Sequence, residues 1–518
     1  MNPNILKQNI NKKIPLLFVF FSTCFMLFVI KMTRITLQEA PLVRHTPFEH
    51  KAYSILDRNG RLLASSIMTF SIYAHPESIR DKHFVSETLA PILNQTSASV
   101  LQKIDTSKSF VWLARHVSPD KKKAIESLGI EGISFHQSTK RIYPYKRLFS
   151  HIIGLRDIDQ NPICGIEKAL DTVAISHKDN VVTSLDVVFQ NIVHQELTRQ
   201  MKHFNATAAN ALLCDVHTGE IISIVSLPDF SPNRMQKNVS CPSFFNRNIT
   251  GVYEFGSIMK AHNLALFLES KKGSLETVFD ATHPISIGPF KIKDYYGKKK
   301  PLTVAEGFVY SSNIVNAKMA QACGANCQRD FFKKMNFFDP VDTILTEKAA
   351  PIAPTHKWSL DRVMTAGYGY GFAVTPLHVV KSMACLVTGK DVDLSFLKKD
   401  APDQRPTIIS DQTVQSIRLL LQQSTEKGCA RKAFTSALPI GAKTGTANLR
   451  CGKNYVQGEN LASCVAVFPI HDPKYVLLVS IEKPEKRAET HYRTTGGWIA
   501  APVIKRIVER MAPLMRTP

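Results

Sequence analysis

Residues 254–268 read EFGSIMKAHNLALFL, in which a glycine and a serine precede an apolar run with helical spacing. Ser257 and Lys260 are three positions apart, so on a helix they share a face and the lysine amine can reach the serine hydroxyl. A serine at the start of a helix also lies beside free backbone N–H groups and the positive end of the helix dipole. This environment favours negative charge on a reacting oxygen, which makes Ser257 a candidate nucleophile.

Two further motifs follow along the chain: Ser311-Ser312-Asn313 and, on a predicted strand, Lys443-Thr444-Gly445-Thr446. The glycine of the second motif leaves room for a ligand backbone to approach the strand. Each motif alone is more typical of solvated surface. Ser-x-Asn recurs at Ser231, and Ser-x-x-Lys recurs at four serines without both a preceding glycine and a following helix: Ser118, Ser395, Ser424 and Ser480. The ordered set of three motifs, each in its expected element, indicates one catalytic site.

Strand and helix patterns surround these motifs from residue 181 onwards. A helical pattern over 183–204 precedes two strands, and three late strands precede a closing helix at 499–511. The strand segments are ALLCDV, IISIVS, IGAKTGTANL, SCVAVFP and YVLLVSIE. Because the intervening segment, 245–435, is mostly helical, residues 181–518 are predicted to form an α/β/α domain around a five-stranded antiparallel sheet.

The preceding part of the chain, residues 31–180, is polar and rich in short β-like runs. These runs are SILDRNGRLLASS, FSIYAHPESI, KRIYPYKRLFSHIIGL and GIEKALD. The pair Asn59-Gly60 is typical of a hairpin turn. No catalytic constellation occurs here, so this part is predicted to be a β-rich, non-catalytic platform, and the whole chain to be of the α+β class.

The N-terminus carries an uncharged stretch over 14–30, IPLLFVFFSTCFMLFVI. At about 1.5 Å per residue it is roughly 25 Å long, near the thickness of a bilayer core. No small-x-small cleavage site follows it, which favours a retained anchor over a removed signal peptide. The stretch is therefore predicted to be a single transmembrane helix. Lys7, Lys12 and Lys13 precede it, so residues 1–13 are predicted to be a cytoplasmic tail.

The chain is strongly basic, with 65 Lys and Arg against 43 Asp and Glu and a formal net charge of +22. The basic residues are spread along the chain rather than grouped with aromatic residues, which disfavours nucleic acid and favours a membrane surface or an acidic cell-wall polymer. Ten cysteines show neither a zinc-type CxxC pair nor a disulfide framework. No metal or organic cofactor is predicted.

Ser-x-x-Lys, Ser-x-Asn and Lys-Thr-Gly in this order resemble the signature of penicillin-binding proteins and serine β-lactamases. Further segments resemble class B penicillin-binding proteins over roughly residues 50–512: TSLDVVFQ, DVHTGEIISIVSLPDFSPN, YGYGFAVTPL and TTGGWIAAPV in the second part, and DRNG, KRIYP and GIEKALD in the first. Departures from the family pattern at Ala52-Tyr53, Lys146 and Phe255 remove no catalytic group.

This resemblance implies a D,D-transpeptidase that cross-links peptidoglycan stem peptides through an acyl-enzyme on Ser257, and that β-lactams inhibit covalently. It implies Lys260 as the base, Ser311 as a proton relay and Asn313 as a holder of the substrate amide. The implied carboxylate site is Lys443, Thr444, Gly445 and Thr446, and the implied oxyanion hole is the backbone N–H groups of Ser257 and Thr446. The implied location is the bacterial inner membrane, with the catalytic domain in the periplasm.

Within class B, the Ser-Ser-Asn form of the second motif is typical of division enzymes, whereas elongation enzymes commonly carry Ser-Ser-Asp. The resemblance thus favours a septal role, with a membrane glycosyltransferase and other division proteins as partners. Three alternatives stay open: an elongation enzyme, a β-lactamase or carboxypeptidase that uses water, and a non-enzymatic penicillin sensor. A sensor predicts several spans or a cytoplasmic output domain, and a β-lactamase has no need of the platform or the anchor.

Overall fold

The computed structural model describes residues 22–23, 25–29, 31, 53–172, 180–234, 242–288, 290–295, 297–353, 358–399, 405–452 and 454–515. The chain divides into two compact units, Met1–Ala52 and Tyr53–Pro518. The predicted tail at 1–13 and most of the predicted membrane helix at 14–30 lie outside the described residues, and the few described positions of that stretch are helical. Among the described residues, no helix has the length and apolar character needed to cross a bilayer. The membrane helix stays a prediction.

The platform, described over residues 53–172, combines a sheet with helices. Its strands are β1 (Ile55–Leu56), β2 (Leu62–Ala74), β3 (Val111–Val117), β4 (Ile133–Ile142), β5 (Leu155–Arg156) and β6 (Pro162–Cys164). Its helices are α1 (Lys82–Leu93), α2 (Ser97–Ile104), α3 (Pro119–Glu126), α4 (Ser150–Ile153) and α5 (Gly165–Thr172). The central strand β2 pairs antiparallel with β1, β3 and β4, and β1 pairs in parallel with β7 (Val181–Val182).

Helices make up as large a part of the platform as strands do, so the description β-rich needs correction. The clearest case is GIEKALD, predicted as a β-like run, which forms the helix α5. Its apolar residues Ile166, Ala169 and Leu170 are buried and recur at helical spacing, which a run of this length does not reveal without its neighbours. The predicted turn at Asn59-Gly60 is present between β1 and β2, with Gly60 at φ +81°.

The rest of the chain begins with α6 (Val187–His203), β8 (Ala208–Asp215) and β9 (Ile221–Leu227). Asp186 caps α6 by accepting hydrogen bonds from Val188 N and Phe189 N, so the helix begins later than the predicted residue 183. The end of the chain contributes β14 (Gly441–Cys451), β15 (Asn454–Phe468), β16 (Tyr475–Glu482), α14 (Gly496–Ile499) and α15 (Ala501–Met515).

A helical insert separates these two groups of elements. It contains α7 (Lys260–Glu269), β10 (Val278–Asp280), β11 (Ile285–Ile287), β12 (Phe290–Ile292), β13 (Pro301–Thr303), α8 (Val304–Val309) and α9 (Asn313–Cys323). It continues through α10 (Ala325–Lys334), α11 (Leu360–Ala366), α12 (Pro376–Thr388) and α13 (Asp411–Glu426). Ser424, one of the other Ser-x-x-Lys serines, lies near the end of α13.

The early and late strands form one five-stranded antiparallel sheet in the order β14-β15-β16-β8-β9, as predicted. Alternate side chains of each strand point to opposite faces. Leu477 and Val479 of β16 pack towards α6 and α15, whereas Val476 and Leu478 pack towards the insert. Because both faces are covered, β8 and β9 are buried along their whole length. The strand β14 is left at one edge of the sheet, beside the insert.

A buried ionic network stabilises the platform near its contact with the rest of the chain. Glu167 has no exposed surface, and it accepts hydrogen bonds from Arg141 Nε at 2.6 Å and Arg156 Nε at 2.7 Å. Glu167 belongs to α5. The first residue of this helix contacts the insert, because Gly165 N donates a hydrogen bond to Glu347 Oε1 at 3.1 Å. The network therefore fixes α5, which contacts the insert directly.

Candidate active site

Ser257 lies in a single 3₁₀ turn, Gly256–Met259, that leads directly into α7. Its side chain is half-buried, whereas Gly256, Ile258 and Met259 are buried, so its hydroxyl is accessible from solvent. Gly256 has φ +50°, and a Cβ there would lie 2.6 Å from the Thr446 carbonyl oxygen. Only glycine fits this position, and its absence of a side chain brings the serine turn against the edge strand β14.

Lys260 is fully buried and makes three hydrogen bonds to the second motif. Its Nζ donates to the Ser311 carbonyl at 2.6 Å, to Ser311 Oγ at 3.1 Å and to Asn313 Oδ1 at 2.8 Å. None of its hydrogen bonds within the described part of the chain goes to Ser257. The side chain of Lys260 thus joins the first motif to the second, and it does so without a hydrogen bond to the serine hydroxyl among the described residues.

The surroundings of Lys260 favour its neutral form. Burial lowers the pKa of Lys260 well below its usual value, and the nearby positive charge of Lys443 lowers it further. The carboxylate of Asp294 and the thiol of Cys429 act in the opposite direction on the same pKa and do not outweigh these two effects. A general base must hold a lone pair when it accepts a proton, and the lowered pKa of Lys260 favours that neutral form.

Ser311 connects the two lysines of the site. Its Oγ accepts from Lys443 Nζ at 3.0 Å on one side and from Lys260 Nζ at 3.1 Å on the other. Ser311 has φ +60°, a left-handed conformation that is uncommon for serine and marks a constrained backbone. The hydroxyl can exchange a proton with either lysine, which is the geometry that a proton relay requires.

The third motif lies on β14, where it faces the serine turn. Lys443 is fully buried, and Thr446 is half-buried with its Oγ1 accepting from Gly496 N at 3.0 Å. A Cβ on Gly445 would lie 2.3 Å from the Phe255 carbonyl oxygen. The chain's own backbone therefore already makes a close approach that requires glycine at this position, and the predicted approach of a ligand stays a prediction.

Cys429, which the sequence did not single out, lies against the third motif. Its Sγ accepts from Thr444 Oγ1 at 3.2 Å and from Lys443 Nζ at 3.5 Å. Burial raises the pKa of this thiol, but Lys443 and the hydrogen bonds from Thr444 and Ser424 outweigh that effect and lower the pKa to about 7. Cys429 is thus a partly ionised thiol beside the lysine that the resemblance assigns to substrate binding.

A second group that the sequence did not identify holds the segment before Ser257. Buried Glu254 accepts hydrogen bonds from Gly371 N at 2.9 Å and from the Tyr455 hydroxyl at 2.9 Å. Burial raises the pKa of Glu254, and these two hydrogen bonds oppose that rise. The Tyr370 hydroxyl donates to the Thr446 carbonyl at 3.3 Å. The YGYG segment thereby ties the serine turn to β14.

Within the described ranges, no three His, Cys, Asp or Glu side chains are arranged to hold a metal ion. The cysteines whose side chains the structure describes are free thiols, namely Cys164, Cys214, Cys323, Cys327, Cys385, Cys429 and Cys464. The described side chains at the site are a serine turn, two buried lysines and their hydrogen-bond partners.

An accessible serine at a turn before a helix, beside two buried lysines that share a second serine, defines a serine acyl-transferase site. The family model "Penicillin binding protein transpeptidase domain" matches residues 209–509, and "Penicillin-binding Protein dimerisation domain" matches residues 54–162. The chain belongs to the penicillin-binding protein transpeptidase family.

Individual relatives extend over most of the chain. A protein from Caulobacter vibrioides named "Probable peptidoglycan D,D-transpeptidase FtsI" is 30% identical over 477 residues, which cover 89% of this chain and 81% of the relative. "Peptidoglycan D,D-transpeptidase FtsI" from Escherichia coli is 27% identical over 498 residues, covering 89% and 83%. A crystal structure of penicillin binding protein 2X from Streptococcus thermophilus has the same fold, with a TM-score of 0.73, 19% identity and coverage of 89% and 79%.

Proposed function

We propose that this chain is a peptidoglycan D,D-transpeptidase that cross-links stem peptides through an acyl-enzyme on Ser257. The observation that carries the proposal is the position of Ser311 Oγ, within 3.1 Å of Lys260 Nζ and 3.0 Å of Lys443 Nζ, beside the accessible serine turn. The names of the relatives from Caulobacter vibrioides and Escherichia coli support the same reaction.

In the acylation step, the neutral amine of Lys260 takes the proton of Ser257 as Oγ attacks the carbonyl carbon of the penultimate D-Ala. The backbone N–H groups of Ser257 and Thr446 stabilise the oxyanion that forms. When the C–N bond breaks, Ser311 gives its proton to the departing D-Ala amine and recovers one from Lys260. The terminal D-Ala leaves, and the rest of the donor peptide stays on Ser257 as an ester.

In the second step, an amine of a neighbouring stem peptide attacks the ester carbon. Lys260 accepts the proton that the amine loses and returns it to Ser257 Oγ as the ester C–O bond breaks. Asn313 holds the amide of the donor peptide in both steps. Lys443, Thr444, Gly445 and Thr446 form the site for the C-terminal carboxylate of the intact donor, which departs with the terminal D-Ala in the first step. The product is a cross-link between two peptides and a free enzyme.

We also propose that residues 31–180 are a non-catalytic platform and residues 181–518 the transpeptidase domain. The two family matches, at 54–162 and 209–509, fall within these limits. We assign residues 14–30 to a single membrane anchor and residues 1–13 to a cytoplasmic tail, which puts the catalytic domain outside the bacterial inner membrane. The uncharged stretch and its preceding lysines support this topology.

We place the reaction at the division septum, with a membrane glycosyltransferase and other division proteins as partners. The asparagine of Ser311-Ser312-Asn313 supports this role, because Asn and Asp differ in charge at neutral pH and would hold a peptide amide differently. Depletion of the protein in its own cell is expected to give filaments with unfinished septa. Swollen round cells that still divide would assign the enzyme to elongation instead.

Transfer to an amine separates the proposed function from its alternatives. Purified full-length protein is incubated with a peptide ending in D-Ala-D-Ala and an excess of an acceptor amine, with Ser257→Ala as the control. The expected products are free D-Ala and an amide between donor and acceptor, formed only by the wild-type chain. Release of D-Ala with water as the sole acceptor would indicate a carboxypeptidase, and rapid turnover of penicillin a β-lactamase.

A further inference from the structure

Asp294 lies in the segment between β12 and β13, and its carboxylate contacts three successive residues of the second motif region. Its Oδ1 accepts hydrogen bonds from Asn313 N at 2.6 Å and from Ile314 N at 3.0 Å. Its Oδ2 accepts from Ser312 Oγ at 2.8 Å. One side chain from outside the motif therefore holds the backbone and a hydroxyl of the segment that contains Ser-x-Asn.

These contacts lie at the start of α9. The first N–H groups of a helix have no partner within the helix, and the N-terminus favours negative charge. Ser312 satisfies one of these groups as N-cap, since its Oγ accepts from Val315 N at 3.1 Å. Asp294 accepts hydrogen bonds from the two N–H groups that precede Val315 N, those of Asn313 and Ile314. Because this carboxylate comes from a different segment, the start of α9 is fixed relative to the insert as well as to its own chain neighbours.

The residue beside Asp294 orients the asparagine of the motif. Asn313 Nδ2 donates to the Lys293 carbonyl at 2.9 Å, which directs its Oδ1 to Lys260 Nζ at 2.8 Å. The left-handed backbone of Ser311 directly precedes this fixed segment. Residues 293–294 therefore hold Asn313 by its backbone N–H and by its side chain, and the oxygen that faces Lys260 follows from that arrangement.

We propose that Asp294 is a positioning residue for acylation, whose carboxylate holds residues 312–314 so that Asn313 Oδ1 and the Oγ of the adjoining Ser311 both face Lys260. The inference rests on the proposed acyl-transfer function and adds to it a residue outside the three motifs. Asp294 does not touch the reacting atoms; it acts through the hydrogen bonds that it accepts at the start of α9.

The charge of Asp294 provides a readout that a purely structural cap would not give. Three groups act on the charge of Lys260 from the elements around it: Lys443 on β14, Cys429 after α13, and Asp294. Asp294 is the carboxylate among them, and it raises the pKa of Lys260 against burial and Lys443. Its removal lowers the pKa of Lys260, so the neutral base persists to lower pH.

The test uses purified full-length protein and a fluorescent penicillin, with the acylation rate constant measured across pH values on both sides of neutrality. Asp294→Asn keeps an oxygen acceptor but removes the charge, and Asp294→Ala removes both. Asp280→Asn is the matched control, because Asp280 lies in the same insert and its carboxylate bonds to Thr282 N. Melting temperatures are recorded for every variant.

In a plot of acylation rate against pH, the acid limb is the range in which the rate falls as Lys260 becomes protonated. This limb is expected at lower pH in Asp294→Asn than in wild type, and at the wild-type pH in Asp280→Asn. Asp294→Ala is expected to lose about tenfold in acylation rate, the size of effect that loss of a helix cap gives. An acid limb of Asp294→Asn that coincides with the wild-type limb overturns the inference, whatever the melting temperature. If the wild-type chain is not acylated at all, the proposed function itself is wrong. That result differs from an unshifted acid limb in Asp294→Asn, which overturns only the role of Asp294.

Discussion

The Nζ of Lys443 lies 3.0 Å from the Oγ of Ser311, although the two residues come from an edge strand of the sheet and from a turn of the helical insert. The same Oγ lies 3.1 Å from Lys260 Nζ. Two buried cations on one hydroxyl repel each other unless one of them is neutral. The protonation of Lys260 therefore depends on the charge of Lys443.

Lys443→Ala is expected to move the acid limb of the acylation profile to higher pH. Lys443 lowers the pKa of Lys260, so its loss raises that pKa and the neutral base forms only at higher pH. Capture of carboxylate-bearing substrates is expected to weaken as well. Lys427→Ala, which removes an exposed lysine after α13, is the control. A limb that stays in place or moves to lower pH would show that Lys443 does not act on Lys260.

Ser311→Ala is expected to lower the acylation rate constant by about 100-fold or more, the range in which general acid–base groups contribute. The substitution removes the hydroxyl that links the two lysines but leaves their side chains in place. Stopped-flow fluorescence with a labelled penicillin measures the rate. Ser416→Ala, whose hydroxyl bonds within α13, should match wild type. A near-normal rate for Ser311→Ala would exclude the relay role.

Cys429 is expected to react with alkylating reagents faster than the described cysteines whose pKa is raised by burial. Its pKa is lowered to about 7, so its thiolate fraction rises as pH passes upward through that value, whereas burial raises the pKa of Cys323 and Cys385 to about 12. Alkylation by iodoacetamide should follow this titration and block acylation by penicillin. Cys429→Ser should keep acylation and resist the block. Equal inactivation of Cys429→Ser would place the reactive thiol elsewhere.

Glu167→Gln is expected to lower the free energy of unfolding by about 3 kcal/mol, because it removes the buried negative charge that Arg141 and Arg156 share. Arg141 and Arg156 are nearly inaccessible to solvent, at 5% and 6% side-chain exposure. Urea unfolding of the full-length protein measures the change. Glu126→Gln breaks an exposed pair with Lys122 and should change stability by less than about 1 kcal/mol. Equal effects of the two substitutions would show that the network adds no stability.

The sequence located the residues of the three motifs because each motif is short and its spacing carries the geometry. Ser257 and Lys260 stand three positions apart where a turn leads into a helix, and Lys443 belongs to a strand whose partners are hydrophobic. The five-stranded sheet followed from the same kind of local pattern. In the structure, Lys260 contacts Ser311 and Asn313, and Lys443 contacts Ser311.

Asp294, Glu254 and Cys429 could not be found in this way, because each reaches the site through a tertiary contact and no local pattern marks it. Glu254 stands three residues before the nucleophile, but only the fold shows that it binds Gly371. The platform helix α5 was missed because a short amphipathic run without clear caps does not distinguish helix from strand. The position that a Cβ of Gly445 would occupy lies against the Phe255 carbonyl oxygen. Phe255 is far from Gly445 in the sequence, so no local pattern shows this contact.

Mass spectrometry of the full-length protein after incubation with benzylpenicillin tests the assignment of the nucleophile most directly. We expect one added drug mass, on the peptide that contains Ser257, and no added mass in Ser257→Ala or Lys260→Ala. Ser480→Ala, at another Ser-x-x-Lys position, should label as the wild type does. A label on Ser118, Ser395, Ser424 or Ser480, or full labelling of Lys260→Ala at the wild-type rate, would contradict the proposed site.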